Sequence, residues 1–551
     1  MGWVEIFLAQ NEGNEAERRC LLGMNDRSDS EKLPRPADAD GGLWGRLWGA
    51  MGKRPGLCAL VCLGAVVVGF YGEEDWRGWY AWKQYKDEAV ARGLSLDYAS
   101  YIPKPVPDEE NFAATLYLGT FMHGGPGVLA KDLYSLANDH VSEYVPKTEK
   151  GLRHLTDLVA WQQAAAALEV GELTNNQRFG TNKTDLESRA AAAPAVLEGL
   201  KPNAEMFAQL RKESSRKYSR FPVNYNLEKP WLTLLPHLSP VKQTCQRLEL
   251  QACAELALGQ SNEALADVKL MLAMADSIKT EPILISFLVR MACVQTTIQP
   301  VWEGLAEHAW SEAKLEELQT RYLSYDFVSE MDHALKAERA YGNLFCDQFR
   351  KQGYGALSDD SMASQPSSGV NFLRGAGKVV PSGWFDLEEL NFNRTFDDMM
   401  RGALDPVGRQ VSPRAVSEVG AFIDLPMPTP QQIAQHRFLA SFLLPSLGRM
   451  PLKAAVNQVV VDQAALACAL ESCRLANGQY PETLNALVPQ FMAHLPNDMI
   501  TGQPYKYRRT ADGQFVLYSV GWNAKDDGGV PGQSLFDQTK GDWVWEYPGK
   551  G

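Results

Sequence analysis

Residues 55–72 read PGLCALVCLGAVVVGFYG, a run without a single charged side chain. As a helix rising about 1.5 Å per residue it would be roughly 27 Å long, close to the roughly 30 Å hydrocarbon core of a bilayer. Lys53 and Arg54 precede the run, and the acidic residues 73–75 follow it. Because basic flanks tend to stay in the cytoplasm, the pattern predicts one transmembrane helix over residues 55–72, with the bulk of the chain on the far side.

Two other interpretations of this run stay open. A cleaved signal peptide needs a small-residue cleavage site, and residues 66–75 (VVVGFYGEED) provide a poor one. A run this short also fits a buried core helix. The aromatic side chains that follow would suit the interfacial belt of a membrane span: Trp76, Trp79, Tyr80 and Trp82.

The segment before the run is polar and rich in glycine. We predict that residues 1–50 form a disordered tail, because they show no regular apolar period. Residues 51–54 read MGKR, which is a normal basic start for a membrane-targeting segment. Either Met1 or Met51 can therefore be the start of translation.

The overall composition is that of folded protein. Of the 551 residues, 45% are apolar and 22% are charged, which excludes wholesale disorder. At about 100–200 residues per domain, this length predicts about three units. The chain has 54 Lys and Arg against 67 Asp and Glu, a net charge of −13. This balance argues against a general nucleic-acid binder, which would carry a basic excess.

Cysteine spacing offers neither a zinc site nor a thioredoxin-type site, since the chain has no C-x-x-C motif. Export would permit disulfides, but the spacing does not define their connectivity. We expect buried single thiols at the six positions beyond the apolar run: Cys245, Cys253, Cys293, Cys346, Cys468 and Cys473.

The middle of the chain predicts a mainly α structure. Residues 73–111 read as a membrane-proximal helix followed by a linker in which three prolines alternate. Residues 112–352 have apolar positions three and four apart, the helical period, and predict a helical body. Residues 353–431 combine a Gly- and Ser-rich linker with a segment of ambiguous period. Three further helices are predicted within the body, at 283–308, 311–323 and 328–351.

One helical hairpin is the best-defined unit of this body. Between Val241 and Pro282, one helix ends at Gly259 and the next begins at Glu263. The run ALGQSNEAL, residues 257–265, resembles the second half of a tetratricopeptide repeat, in which small residues let paired helices approach. A stable array needs roughly three copies, so a generic helical hairpin remains the alternative.

Residues 432–551 predict a small α+β unit. Ala454 to Leu475 has an apolar stripe typical of a long helix, which Asn477-Gly478 ends. A short helix at 482–488 and two alternating strands follow, and the strands are joined by the hairpin loop Thr510–Gly513. Residues 543–545 (WVW) could add a last strand.

These residues resemble the major pseudopilin of type II secretion. The pieces keep that family's order: Cys473-Arg-Leu-Ala-Asn-Gly-Gln-Tyr-Pro-Glu-Thr-Leu, Pro496-Asn-Asp, Gly502-Gln-Pro-Tyr-Lys-Tyr, Tyr518-Ser-Val-Gly521 and Asp526-Asp-Gly-Gly529. The apolar run, however, lies far upstream of the pilin-like helix, and no Gly-Phe-Thr-Leu-Ile-Glu-type processing site is visible. The resemblance therefore implies a borrowed folding unit. The whole chain also looks like N-anchored bacterial envelope proteins of unassigned activity.

The resemblance also implies a metal. In calcium-binding pseudopilins the loop after the hairpin holds Ca²⁺, which takes six to eight oxygen ligands. The matching positions are Asn523, Asp527 and Asp542, with Asp526 and Asp537 nearby. Asn stands where the family often has Asp, and the loop is longer, so a solvated acidic loop is the alternative.

The chain spells no complete catalytic motif. His123-Gly-Gly-Pro-Gly127 resembles an oxyanion-hole loop, but the G-x-S-x-G elbow that accompanies it in α/β-hydrolases is missing. The Walker loop, H-E-x-x-H and the EF-hand loop are also missing. A basic run at residues 211–220 could touch anionic polymers, although such runs are usually solvated helix faces.

The sequence thus predicts a membrane-anchored protein of the bacterial inner membrane, with a cytoplasmic N-terminus and a periplasmic bulk. The expected role is structural or protein-binding, and the expected contacts are the bilayer, through residues 55–72, and an unidentified protein. One alternative is an exported enzyme with dispersed catalytic carboxylates, for which a pocket holding two buried carboxylates would speak. The other is an accessory factor of a pilus or type II secretion-like system, which a free sheet edge would support.

Overall fold

Fourteen α-helices and five short strands make up the part of the chain that the computed structural model describes, residues 55–122, 152–169, 185–352, 380–423 and 434–547. The helices are α1 Pro55–Ala91, α2 Leu116–Phe121, α3 Leu158–Glu169, α4 Leu186–Leu200, α5 Ala204–Glu213, α6 Leu238–Ala257, α7 Ser261–Asp276, α8 Leu284–Ala306, α9 Glu312–Leu323, α10 Phe327–Gln352, α11 Gly383–Met400, α12 Pro413–Ile423, α13 Phe438–Leu443 and α14 Met450–Asn477. The strands are β1 Leu404–Asp405, β2 Gln410–Val411, β3 Lys506–Arg509, β4 Phe515–Ser519 and β5 Trp543–Glu546. The prediction of a mainly α chain is confirmed.

Several predicted features lie wholly or partly outside the described residues. Among them are the polar tail at residues 1–50, the His123–Gly127 loop, two stretches of the predicted helical body (123–151 and 170–184), and residues 353–379 of the predicted linker. The chain divides into two compact units, with the boundary between Phe70 and Tyr71.

The apolar run and the predicted membrane-proximal helix are one continuous helix, α1. Within the second unit, α1 packs on the start of α11, where the backbones of Gly78 and Gly383 touch: a Cβ on Gly78 would lie 2.1 Å from the Gly383 carbonyl oxygen. The Gly383 N–H donates to Asp75 Oδ1 at 2.8 Å, and Trp384 Nε1 donates to Glu74 Oε2 at 3.0 Å. The acidic residues after the apolar run therefore also hold α11 in place.

A second apolar helix lies inside the protein. Among the described residues, one helix is long and apolar enough to cross a membrane by length and composition alone, and it is α8. However, 67% of its apolar stretch is buried within the protein. It packs between α6, α7 and α14, as a core helix does.

The predicted helical hairpin is α6 and α7. Gly259 lies between them with φ +73°, a left-handed conformation that glycine adopts without steric cost and that ends α6. The three helices predicted at 283–308, 311–323 and 328–351 are observed as α8, α9 and α10. Helices α6, α7 and α8 pack on one another around buried residues such as Leu248, Met271 and Val294.

The long helix of the predicted α+β unit is α14, and its environment differs from the prediction. The apolar stripe predicted one buried face, whereas every residue from Ala454 to Cys473 is buried. The reason is that α8, α9 and α10 cover it on the side of the helical body, while β4 and β5 also contact it. Pro451 lies in its first turn, where proline is tolerated. Body and tail therefore share one hydrophobic core.

The tail sheet has the order β3-β4-β5, and both pairs are antiparallel. Tyr507 faces Leu517, and Leu517 faces Trp545. Side chains of the long helices also bond to β5: Gln463 Nε2 donates to the Trp543 carbonyl and Trp302 Nε1 to the Glu546 carbonyl. Among the described residues β3 pairs with β4 alone, so its outer edge is free of strand partners, and three of its four residues are Lys or Arg. Such charges discourage pairing with another strand.

The segment of ambiguous period, residues 384–430, is mostly helical where it is described. Helix α11 packs on α10 and α13, and the β1–β2 hairpin follows it. At the tip of this hairpin Arg409 has φ +50°, which is uncommon for a residue other than glycine. The Val411 N–H donates to the Met499 carbonyl at 3.0 Å, which places the hairpin against the tail.

Candidate functional site

A groove between α7 and α9, walled on a third side by residues 214–219, opens on the helical body. It has a volume of about 930 Å³. Its apolar lining includes Phe112, Leu272 and Leu318. Two helices and an irregular segment therefore form the walls of this groove.

Charges of both signs line this groove. Lys269 Nζ lies 2.5 Å from Glu317 Oε1 across the opening between α7 and α9. At one end Asp276 pairs with Arg321 and with Arg290, the latter at 3.1 Å. The side chain of Lys217 is exposed, with its Nζ 4.7 Å from the centre of the Tyr218 ring. A partner with alternating charges would find counter-charges along the cleft.

The arginines of the basic run at residues 211–220 bond to other parts of the protein. Arg211 pairs with buried Asp267. Arg216 donates to the carbonyls of Asp108 at 2.9 Å and Asn111 at 3.2 Å, and Arg220 donates to the carbonyl of Pro103 at 3.0 Å. These bonds bind the predicted proline linker to the body, so the arginines of the run have a structural role.

A smaller pocket of about 280 Å³ lies between the β1–β2 hairpin and the tail. Two buried carboxylates, Asp462 of α14 and Asp498, line it together with Arg409, Gln458 and His494. Asp462 Oδ1 accepts from Gln458 Nε2 at 2.9 Å and lies 4.0 Å from Arg409 Nη2. Its Oδ2 accepts from the hydroxyl of Tyr505 at 3.0 Å. The pocket therefore has the paired acids expected for a dispersed enzyme site.

Burial raises the pKa of both acids. The pKa of Asp462 rises to about 6, even though Arg409 and the hydrogen bonds from Gln458 and Tyr505 oppose the rise. The pKa of Asp498 is also raised by burial, although the backbone N–H groups of Ile500 and Val520 donate to its carboxylate. Sequence reasoning missed this pair. The available signal was Asp462 itself, a charged residue inside an apolar helix stripe.

The predicted calcium ligands lie together in the loop between β4 and β5. Asn523 Nδ2 donates to Asp527 Oδ2 at 3.0 Å, and the Asp527 N–H donates to Asp542 Oδ1 at 3.2 Å. Asp526 lies to the side, where it accepts from the Tyr518 hydroxyl at 3.1 Å. Asp537 accepts from the N–H of Thr539 instead. In the described residues no group of three or more His, Cys, Asp or Glu is arranged to hold a metal ion, so calcium here stays a prediction.

Calcium removal tests that prediction. If Asn523, Asp527 and Asp542 hold Ca²⁺, a chelator is expected to lower the melting temperature of the full-length protein, because an ion bound only to the folded state stabilises it. Asp527→Asn is expected to abolish the effect of the chelator, whereas Asp537→Asn is the matched control. A melting temperature that the chelator leaves unchanged would reject the site.

Glu471, a buried acid near the end of α14, has a lowered pKa, in contrast to Asp462 and Asp498. Burial raises the pKa of Glu471, but hydrogen bonds from Arg474, His308 and Tyr480 outweigh it and lower the pKa to about 2. The Tyr480 hydroxyl donates to Glu471 Oε2 at 2.7 Å, and His308 Nδ1 lies 2.9 Å from Oε1. These bonds tie the loop after α8 and the loop after α14 to one carboxylate.

We expect Glu471→Gln to lower the free energy of unfolding at pH 7 by about 1.5–3 kcal/mol, the range for hydrogen bonds to a charged group. Because the folded-state pKa is lowered, this stabilisation is present above the ordinary pKa of glutamate and is lost as the pH falls towards about 2. Urea unfolding of both proteins between pH 7 and pH 3 should therefore show a gap that narrows on acidification. A gap that stays constant over this range would contradict the assignment.

Seven cysteines in the described residues are free thiols. The six beyond the apolar run are buried, as expected, and Cys62 within the run is exposed. Burial raises the pKa of Cys245, Cys253, Cys346 and Cys468, so these thiols are poor nucleophiles.

Comparison with protein-family models, with curated proteins and with solved structures found no match for this chain.

Proposed function

We propose that the protein is a membrane-anchored envelope protein whose helical body binds a segment of another protein. The observation that carries the anchor is the first part of α1. Large apolar side chains from Leu60 to Phe70 are exposed, with Val66 at 67% and Val68 at 73%. Every residue from 59 to 70 is exposed and none is charged, so this stretch is apolar on all sides of the helix. A helix that is apolar on every side is typically buried in a core or in a membrane.

The flanking charges support an orientation. Lys53 and Arg54 lie on one side of the apolar run and acidic residues on the other, so the positive-inside rule favours a cytoplasmic N-terminus and an exported body. A bacterial inner membrane would then hold residues 55–72. The test is a reporter fused after Gly551, either a phosphatase that is active only outside the cytoplasm or a fluorescent protein that folds only inside. Phosphatase activity supports this orientation, and cytoplasmic fluorescence rejects it.

The groove between α7 and α9 is the proposed partner site. It combines an apolar floor with exposed charges, and its third wall carries the exposed side chains of Lys217 and Tyr218. Side chains of this kind anchor partners at protein interfaces, where aromatic residues are enriched and charges set the register.

Site-specific cross-linking in cells tests the groove. A photoreactive residue at position 217 is expected to join the protein to a discrete partner, and Lys269→Glu is expected to weaken that cross-link. The matched control is position 201, since Lys201 is also exposed and pairs with a neighbouring Glu198 but lies outside the groove. The same cross-links at both positions, or none at 217, would reject the groove as the partner site.

The second candidate function is an exported enzyme, and the pocket with Asp462 and Asp498 favours it. Two buried carboxylates with raised pKa values can act as a general acid and a general base. The test is hydrolysis of a panel of nitrophenyl glycosides and esters by the wild-type protein, which Asp462→Asn should abolish. If no substrate is hydrolysed, or if Asp462→Asn hydrolyses it equally well, the carboxylates serve the fold alone.

A further inference from the structure

A third pocket, with a volume of about 320 Å³, lies where the end of α1 meets α10 and α11. Four cationic side chains and two carboxylates line it, in a chain whose net charge is −13. The cations are Arg92, Lys336, Arg339 and Arg401, and the carboxylates are Asp332 and Asp397. The lining of this pocket therefore has a positive net charge, whereas the whole protein has a negative one.

Asp397 is shared by two arginines at the centre of this pocket. Its Oδ2 accepts from Arg92 Nη2 at 3.1 Å and from the Tyr85 hydroxyl at 2.8 Å, while its Oδ1 accepts from Arg339 Nη1 at 2.6 Å. One carboxylate cannot neutralise two guanidinium groups, so one positive charge remains. Burial raises the pKa of Asp397, but Tyr85 and the two arginines outweigh it and keep the carboxylate ionised.

The buried arginine keeps a free donor. Arg339 is 3% exposed, and its guanidinium lies 5.1 Å from the centre of the Phe396 ring. Its Nε is buried and has no hydrogen-bond partner in the described part of the chain. A buried donor without an acceptor costs free energy, so the chain itself only partly compensates this guanidinium.

The other two cations pair at the rim. Lys336 Nζ lies 2.6 Å from Asp332 Oδ2, and Arg401 Nη2 lies 3.0 Å from Asp398, which does not line the pocket. The remaining lining is apolar: Leu94, Leu335, Phe396, Met400 and Leu404. A ligand for this pocket must therefore combine a negatively charged head with an apolar body.

We propose that this pocket binds a small organic oxyanion, a phosphate monoester or a carboxylate attached to an apolar group. Guanidinium groups match the oxygens of both head groups in geometry and charge. The volume is at the lower end of the range for small-molecule sites. The head group would meet the surplus charge of Arg92 and Arg339, and the apolar group would lie on Phe396 and Met400.

Calorimetric titration of the full chain in a non-ionic detergent tests the proposal with three probes: phenyl phosphate, benzoate and neutral phenol. Saturable binding of at least one anion, with none of phenol, is expected, and the tighter anion identifies the head group. Arg92→Gln removes the surplus charge and leaves Asp397 paired with Arg339, so it should weaken binding by roughly tenfold, which corresponds to about 1.4 kcal/mol.

The matched control is Arg77→Gln. Arg77 lies on α1, which Arg92 directly follows; its side chain is 53% exposed like that of Arg92, and it pairs with Glu74 outside the pocket. This variant should bind like the wild type. The proposal is overturned if neither anion binds saturably, if phenol binds as well as the anions, or if Arg92→Gln binds with the affinity of the wild type.

Discussion

Replacing Arg189 by methionine is expected to lower the free energy of unfolding by about 3–5 kcal/mol, the range for breaking a buried ion pair. Arg189 and Glu303 are both 0% exposed and pair with each other, and Arg189 also pairs with Glu307. Its Nε donates to the Thr156 carbonyl at 3.1 Å. The substitution would leave Glu303 as a buried charge without its cation.

The surrounding bonds explain why this loss would not be repaired locally. Glu303 Oε1 already accepts from the N–H of Thr156 at 2.8 Å, from its hydroxyl at 2.6 Å and from Gln299 Nε2 at 2.8 Å. These bonds join residues 152–157, α4 and α8 through one carboxylate. Since all the donors are fixed by their own elements, none can move to replace the guanidinium.

Urea unfolding of the detergent-solubilised protein measures this effect. The control is Lys201→Met, which removes an exposed ion pair with Glu198 that is worth at most about 1 kcal/mol. If Arg189→Met costs no more than the control, the network does not hold the body together.

Trp302→Ala is expected to cost about 3–5 kcal/mol, because it leaves a cavity in the core. Trp302 of α8 is 0% exposed, and its Nε1 donates to the Glu546 carbonyl of β5 at 3.1 Å. Its ring centre lies 5.8 Å from that of Tyr547. The residue therefore links the helical body to the tail sheet directly.

Two measurements separate a shared core from two independent domains. When Trp302→Ala is unfolded in urea and limited proteolysis monitors the unfolding, body and tail should become sensitive to the protease at the same urea concentration. Trp302→Phe should lose less unfolding free energy, because most of the apolar contact is kept. A tail that resists proteolysis as in the wild type while the body unfolds would contradict the shared core.

Local pattern was sufficient to predict most elements. The period of three and four residues placed α8, α9 and α10 close to their observed ends, and Gly259 marked the turn between α6 and α7. The hairpin loop Thr510–Gly513 was likewise readable from its glycine and the alternating strands around it.

Which helix faces are buried by tertiary packing could not be predicted from local sequence pattern. The stripe on α14 suggested one buried face, and only the scarcity of charged residues between Ala454 and Cys473 hinted that all faces are covered. The pockets could not be predicted either, because their lining residues come from distant parts of the sequence. Arg92 follows α1, whereas Arg339 lies on α10 and Asp397 on α11, and no spacing rule brings positions so far apart in sequence together.

Extraction of membranes with alkaline carbonate asks whether residues 55–72 anchor the chain. The full chain is expected to stay in the membrane pellet, because these residues cross the bilayer. Val66→Asp combined with Val68→Asp is expected to release it to the supernatant, since each acidic side chain at mid-helix opposes insertion by roughly 2.5–3.5 kcal/mol. Release of the intact wild-type chain by carbonate would contradict the anchor.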